Sequence, residues 1–106
     1  MNLLQETIDD IKDYGKSIDG IENIGSEQYS CTWEEFKVLA DINYDSGFGG
    51  QNVSCDLVIL FKDKSWMERG EYDGSEWWEF KSPPVFNKED KKIESLFSGS
   101  WNKIGE

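Results

Sequence analysis

The chain has 106 residues, with 22 acidic side chains against 11 basic ones, no histidine and a formal net charge of −11. That length holds one hydrophobic core rather than two, and the 14% aromatic content, five Trp included, argues against a disordered chain. So negative a chain repels nucleic acid and anionic membranes, and attracts basic protein surfaces.

The acid is unevenly spread. Residues 1–50 hold 11 acidic and 3 basic side chains, a net of −8, and residues 51–106 hold 11 and 8, a net of −3. The longest apolar run, Leu57-Val58-Ile59-Leu60-Phe61, is a strand's length and falls far short of the ~20 residues that span a bilayer. MNLLQETIDD has no basic stretch ahead of an apolar one. No secretory signal is therefore expected, and the reading is a single cytoplasmic domain over residues 1–106.

In chain order, residues 2–14 predict a helix, with Leu4, Ile8, Ile11 and Tyr14 as its apolar stripe and Gly15 as its stop. Ile21 to Ile24 and Tyr29 to Cys31 alternate around Gly25-Ser26-Glu27, the pattern of a hairpin. Thr32 with Glu35 three residues later is a capping box. The helix it opens is expected to run to about Asn43, burying Phe36, Leu39 and Ala40.

Ser46 to Gly50 is glycine-rich, but no Gly-Lys-Ser/Thr and no helix follow, so it reads as a turn rather than a phosphate loop. A three-stranded meander is expected over 52–82. Val53, Cys55, Leu57, Ile59 and Phe61 share one face of its first strand; Trp66 to Tyr72 and Ser75 to Lys81 flank an Asp73-Gly74 turn. A two-residue loop sets Arg69 opposite Trp78 and Glu68 opposite Glu79; a three-residue loop sets Arg69 opposite Trp77. Both registers are open. Pro83-Pro84 ends the sheet, and residues 88–97 predict a short last helix with Ile93, Leu96 and Phe97 as its apolar residues. The fold class is α+β, an antiparallel sheet packed with two or three helices in the order α-ββ-α-βββ-α.

Four groups of residues bear on function. Glu68, Glu71, Asp73, Glu76 and Glu79 offer carboxylates for acid–base work, yet without His, nucleophile elbow or ligand cluster no catalytic residue is expected. Asp41, Asp45 and Asp56 do not follow calcium-loop spacing, and Cys31 and Cys55 lack zinc spacing, so no metal or cofactor is expected and both thiols read as buried. Adjacent Trp77 and Trp78 must point to opposite faces of their strand, so one of them is either covered from the other side or exposed as an interface anchor. The fourth group is the acidic surface of the first two helices.

The segment EEFKVLADINYDSGFGGQNVSCDLVILFKDKSWMERGEYDGSEWWEFKSPP, residues 34–84, resembles small proteins carried by bacteriophages and prophages, most specifically in its EYDGSEWWEF hairpin. The resemblance implies a viral or mobile-element origin, a setting in which short acidic proteins such as anti-CRISPRs inhibit host defence nucleases. It transfers no functional residue. The expectation is thus a DNA-mimicking inhibitor that binds a basic, nucleic-acid-handling host protein through Asp9, Asp10, Asp13, Glu34, Glu35, Asp41 and Trp77. An immunity protein against a basic toxin nuclease, a carbohydrate-binding module built on the hairpin Trp and carboxylates, and a phage assembly factor stand as alternatives.

Overall fold

Asn2 starts the first helix: its side-chain oxygen accepts the Gln5 backbone N–H at 2.9 Å and caps α1, Leu3–Asp13. Gly15, at φ 72°, stops it. The Gly15 N–H reaches the Lys12 carbonyl and the Lys16 N–H reaches that of Ile11, the paired bonds of a Schellman ending. The computed structural model describes residues 1–45, 51–85, 92–97 and 103. After a 3₁₀ turn at Ile18–Gly20 come β1 Ile21–Gly25, β2 Ser30–Cys31, α2 Trp33–Leu39, β3 Val58–Phe61, β4 Trp66–Tyr72 and β5 Ser75–Lys81.

The strands form one five-stranded antiparallel sheet in the order β2-β1-β3-β4-β5, so the architecture is α+β. Ile24, Ile59, Met67 and Phe80 line up across four strands, and around them Phe61, Trp78, Leu3, Ile11, Phe36 and Ala40 build the core. Both helices therefore cover the same face. The capping box at Thr32 is present in full, with Glu35 N–H on Thr32 Oγ1 at 3.1 Å and Thr32 N–H on Glu35 Oε1 at 3.0 Å.

Several expectations need correction. The buried stripe of α1 is Leu3, Thr7 and Ile11, with Leu4 and Ile8 half-buried. Thr7 turns inward because its hydroxyl donates to the Leu3 carbonyl at 2.7 Å and accepts the Trp78 indole N–H at 2.9 Å. The second helix ends at Leu39 rather than Asn43, leaving Leu39 exposed. There the chain turns to meet the start of α1: Leu4 N–H bonds to the Ala40 carbonyl, Leu3 N–H to that of Ile42, and Asn2 bridges to Asn43.

The strand expected from Val53 begins only at Val58. The amides of Asn52 and Val53 are taken by the Glu76 carboxylate instead of a neighbouring strand, and Leu57 N–H closes a turn on the Ser54 carbonyl. Cys55 sits in this irregular stretch and is exposed; Cys31 is half-buried, and burial with the nearby Glu35 raises its pKa. The last helix is not found at 92–97, where no helical residue occurs and Ile93, Leu96 and Phe97 are exposed. Its remaining part, 88–91, lies outside the described residues, as do the glycine-rich segment 46–50 and the tail residues Trp101 and Ile104.

Candidate functional site

The hairpin of β4 and β5 carries both of the notable side-chain groups. Asp73 and Gly74 have φ 50° and 87°, the two positive values of a type I′ turn, and this two-residue loop sets the register. Arg69 faces Trp78, Glu68 faces Glu79 and Gly70 faces Trp77. Because side chains alternate along a strand, one set points to the helices and the other away from them.

On the helix side, Arg69 and Glu76 are both wholly buried side chains. Arg69 Nη2 donates to Glu76 Oε1 at 2.9 Å and to the Tyr44 hydroxyl at 3.0 Å, and Tyr44 in turn donates to Glu6 Oε1 at 2.5 Å. Glu76 also accepts the amides of Asn52 at 2.6 Å and Val53 at 3.1 Å. Burial alone pushes the Glu76 carboxyl pKa up, but these amides and the guanidinium outweigh it and hold the group below its ordinary value.

Burial likewise disfavours the Arg69 charge, and Tyr44, Glu76 and Glu6 more than restore it. The Tyr44 hydroxyl is pushed up to about 12 by burial and by its bond to Glu6. Among the described residues Arg69 Nε and Nη1 find no hydrogen-bond acceptor; Nη1 lies 3.5 Å from Glu6 Oε2, and the guanidinium carbon lies 4.8 Å from the centre of the Trp78 ring. This cluster clamps the two ends of the 45–52 connection onto the hairpin. Apart from those two guanidinium nitrogens, its buried groups are matched to one another, which is the work of a structural network.

On the other side, no described helix covers the sheet. Asn23, Gly25, Val58, Leu60, Trp66 and Glu68 form the floor of an open groove of about 860 Å³, with the 26–29 turn and Asp56 at its rim. Trp66 Nε1 donates to Glu68 Oε1 at 2.8 Å, and Trp77 Nε1 donates to Glu79 Oε1 at 3.1 Å. Trp77, 36% exposed, lies against Gly70: a Cβ there would stand 2.6 Å from the indole nitrogen and 2.8 Å from Cε2. The absence of a side chain at Gly70 is what lets the ring lie down on the strand.

The carboxylates considered for acid–base chemistry are thus divided, and Glu68 and Glu79 face each other. Glu76 is spent on Arg69, Glu71 accepts the Gly74 N–H at 2.8 Å inside the turn, and Glu68 and Glu79 lie on the open face. Among the described residues no group of three or more His, Cys, Asp or Glu could hold a metal ion. No described helix is long and apolar enough to cross a membrane.

The residues expected to bind a partner fall on two sides of the molecule. Asp9 and Asp13 are exposed on α1, Asp9 accepting from Gln5 at 3.0 Å. Asp10 is half-buried, and burial followed by the charges of Glu6, Asp13 and Asp9 raises its pKa. Glu34 pairs with Lys37 at 2.7 Å, Glu35 is engaged in the capping box, and Asp41 accepts the Asn2 side-chain amide at 3.0 Å. Trp77 is on the opposite face, away from the helices. Sequence reasoning misses the Arg69–Glu76–Tyr44 cluster; the one hint, an arginine alternating in phase with core residues, points only to a tryptophan partner, Trp78 or Trp77. Comparisons with family models, with curated proteins and with solved structures find no match to the chain.

Proposed function

We propose that this chain is a non-catalytic acidic binding protein of phage or mobile-element origin, acting in the host cytoplasm. It inhibits a nucleic-acid-handling host enzyme, in the manner of anti-CRISPR proteins, by setting carboxylates where the enzyme expects phosphates. The observation that carries this reading is the outer surface of α1. Asp9, Asp10 and Asp13 with one lysine lie along it, Glu6 being turned in toward Tyr44 and Arg69, on a helix capped at both ends and fastened to the sheet by its opposite stripe. Charges on such a frame meet a basic groove without first being ordered, which favours both association rate and specificity. Asp9, Asp10 and Asp13 are the proposed centre, and Glu34 and Asp41 add charge from α2 and from the chain after it; Glu35 contributes its charge from a fixed position in the capping box.

The test is capture from host lysate by the tagged protein at about 50 and 500 mM salt, a range over which screening changes strongly. The captured enzyme is then assayed for nucleic-acid binding with and without the protein. The expected result is a nucleic-acid enzyme held at low salt, released at high salt, and inhibited in proportion to occupancy. Charge reversal in D9K/D10K/D13K should slow association. Equal binding by the reversed protein at low salt would refute the proposal.

A further inference from the structure

We infer that the open face of the sheet is a second contact surface, shaped to take the arginine or lysine side chains of an extended basic segment of the partner protein. The inference rests on reading the chain as a binder of basic proteins, and it names where and how such a protein is gripped on the side away from α1.

Charge comes first. The charged residues lining the groove are Glu27, Asp56 and Glu68, all carboxylates, with no lysine or arginine among them. Glu79 adjoins them, directly opposite Glu68 in the strand register. Two like charges facing each other across a strand pair oppose folding. Lys81, 3.7 Å from Glu79, is the nearby cation, and it is half-exposed at the strand end. A guanidinium or ammonium seated between Glu68 and Glu79 would meet both carboxylates at once.

Aromatic geometry comes second. Each of these carboxylates holds the indole N–H of the tryptophan two residues before it on its own strand, so Trp66 and Trp77 are fixed in orientation before any partner arrives. Trp77 is additionally laid flat on Gly70. An indole face beside a carboxylate suits arginine, whose planar cation stacks on the ring while its N–H groups reach the acid. Val58 and Leu60, half-buried in the floor, give the aliphatic stem an apolar bed.

Other occupants fit less well. A neutral sugar could stack on the indoles, but it would leave the facing carboxylates without compensation. A second copy of a chain with net charge −11 would bring more acid to an acidic face.

The test uses the full chain with its tryptophan indoles labelled with nitrogen-15, titrated at low salt with a synthetic peptide of alternating arginine and glycine. The expected result is movement of the Trp66 and Trp77 indole N–H signals. E68Q/E79Q should bind the peptide at least about ten-fold more weakly, and D9N/D13N, which removes the same charge from α1, less than about three-fold. G70A, whose Cβ would stand 2.6 Å from both the Trp77 indole nitrogen and Glu79 Oε1, displaces the ring and its carboxylate together while removing no charge; it should also weaken binding, and it serves as the second variant should E68Q/E79Q fail to fold. Loss of binding in D9N/D13N with retention in E68Q/E79Q would overturn the open-face site and leave the acidic-inhibitor reading standing. So would capture of a nucleic-acid enzyme by a protein whose indole signals ignore the peptide. Indole shifts produced by a neutral oligosaccharide and not by the peptide would replace the site with a sugar platform. If the peptide binds as expected while no nucleic-acid enzyme is captured or inhibited, the inhibitor reading fails and the cation site remains.

Discussion

Replacing Arg69 by methionine should unfold more of this protein than any surface change, and the reason can be worked from the buried cluster. The Arg69 and Glu76 side chains are both fully buried, 2.9 Å apart. Removing one member of such a pair strands the other charge in a medium that solvates it poorly, which costs about 3–5 kcal/mol. The amides of Asn52 and Val53 still hold Glu76, so the lower end of that range applies. A domain of this size is stable by roughly 5–15 kcal/mol, and a loss of about 3 kcal/mol lowers Tm by about 12 °C or more. Urea denaturation followed by circular dichroism at pH 7 measures it directly.

The pH dependence supplies a second readout. In the native protein Glu76 is held below its ordinary value near 4.5, so its contribution is present above that pH and is lost as pH falls through the depressed native value. Without Arg69 the native carboxyl moves up. The difference between R69M and the parent should therefore be greatest at neutral pH and shrink as the medium is acidified below about 4.5. R69M/E76Q, which removes both charges, should recover part of the loss. A penalty of less than about 1 kcal/mol for R69M, or a double variant equal to the sum of the singles, would refute the argument that the pair is a coupled buried network.

Two further variants probe neighbouring claims. Thr7→Val preserves shape but deprives the buried Trp78 indole N–H of its acceptor, and should cost about 1–3 kcal/mol in urea denaturation; a change within about 0.3 kcal/mol of zero would mean the bond contributes nothing net. Glu68→Gln keeps an acceptor for Trp66 and removes one of two facing carboxylates, so stability should rise by about 0.2–1 kcal/mol at low salt, seen as a higher Tm; a lower Tm would show that the facing pair is already compensated.

What could be read in the chain alone followed from local chemistry. The capping box at Thr32 and Glu35 and the Asp73-Gly74 turn are decided by residues three or four apart, and both stand where the pattern puts them. Alternation assigned Trp77 and Trp78 to opposite faces for the same reason. Failures occur where a distant partner overrides the local pattern. Val53 to Leu57 alternates like a strand, yet Glu76, more than twenty residues away, takes the amides a ladder would need. Val38 and Leu39 continue the apolar helical pattern, yet the start of α1 takes over the carbonyls of Ala40 and Ile42 and ends the helix. Hydrophobicity alone also hides Thr7, which is buried because Trp78, 71 positions later, needs its oxygen. The same limit applies to function. Asp9 and Trp77 both read as contact residues, and nothing local says that a sheet separates them.

That separation has a consequence for experiment. In β4 and β5, Met67, Arg69, Glu76 and Trp78 face the helices, while Trp66, Glu68, Trp77 and Glu79 face away. One set of alternate positions sustains the fold and the other composes the open face, on the same two strands and within a few residues of each other. Substitutions of the first set should therefore change stability and leave the affinity of the folded fraction intact. Substitutions of the second should change affinity for cations with little effect on unfolding, apart from the modest gain expected on relieving the Glu68–Glu79 repulsion. Measuring R69M and E79Q side by side, in denaturation and in peptide titration, sets the two sets against each other. If both variants lost affinity in proportion to lost stability, the open face would be only the reverse side of the core, and the carboxylates of α1 would have to account for binding by themselves.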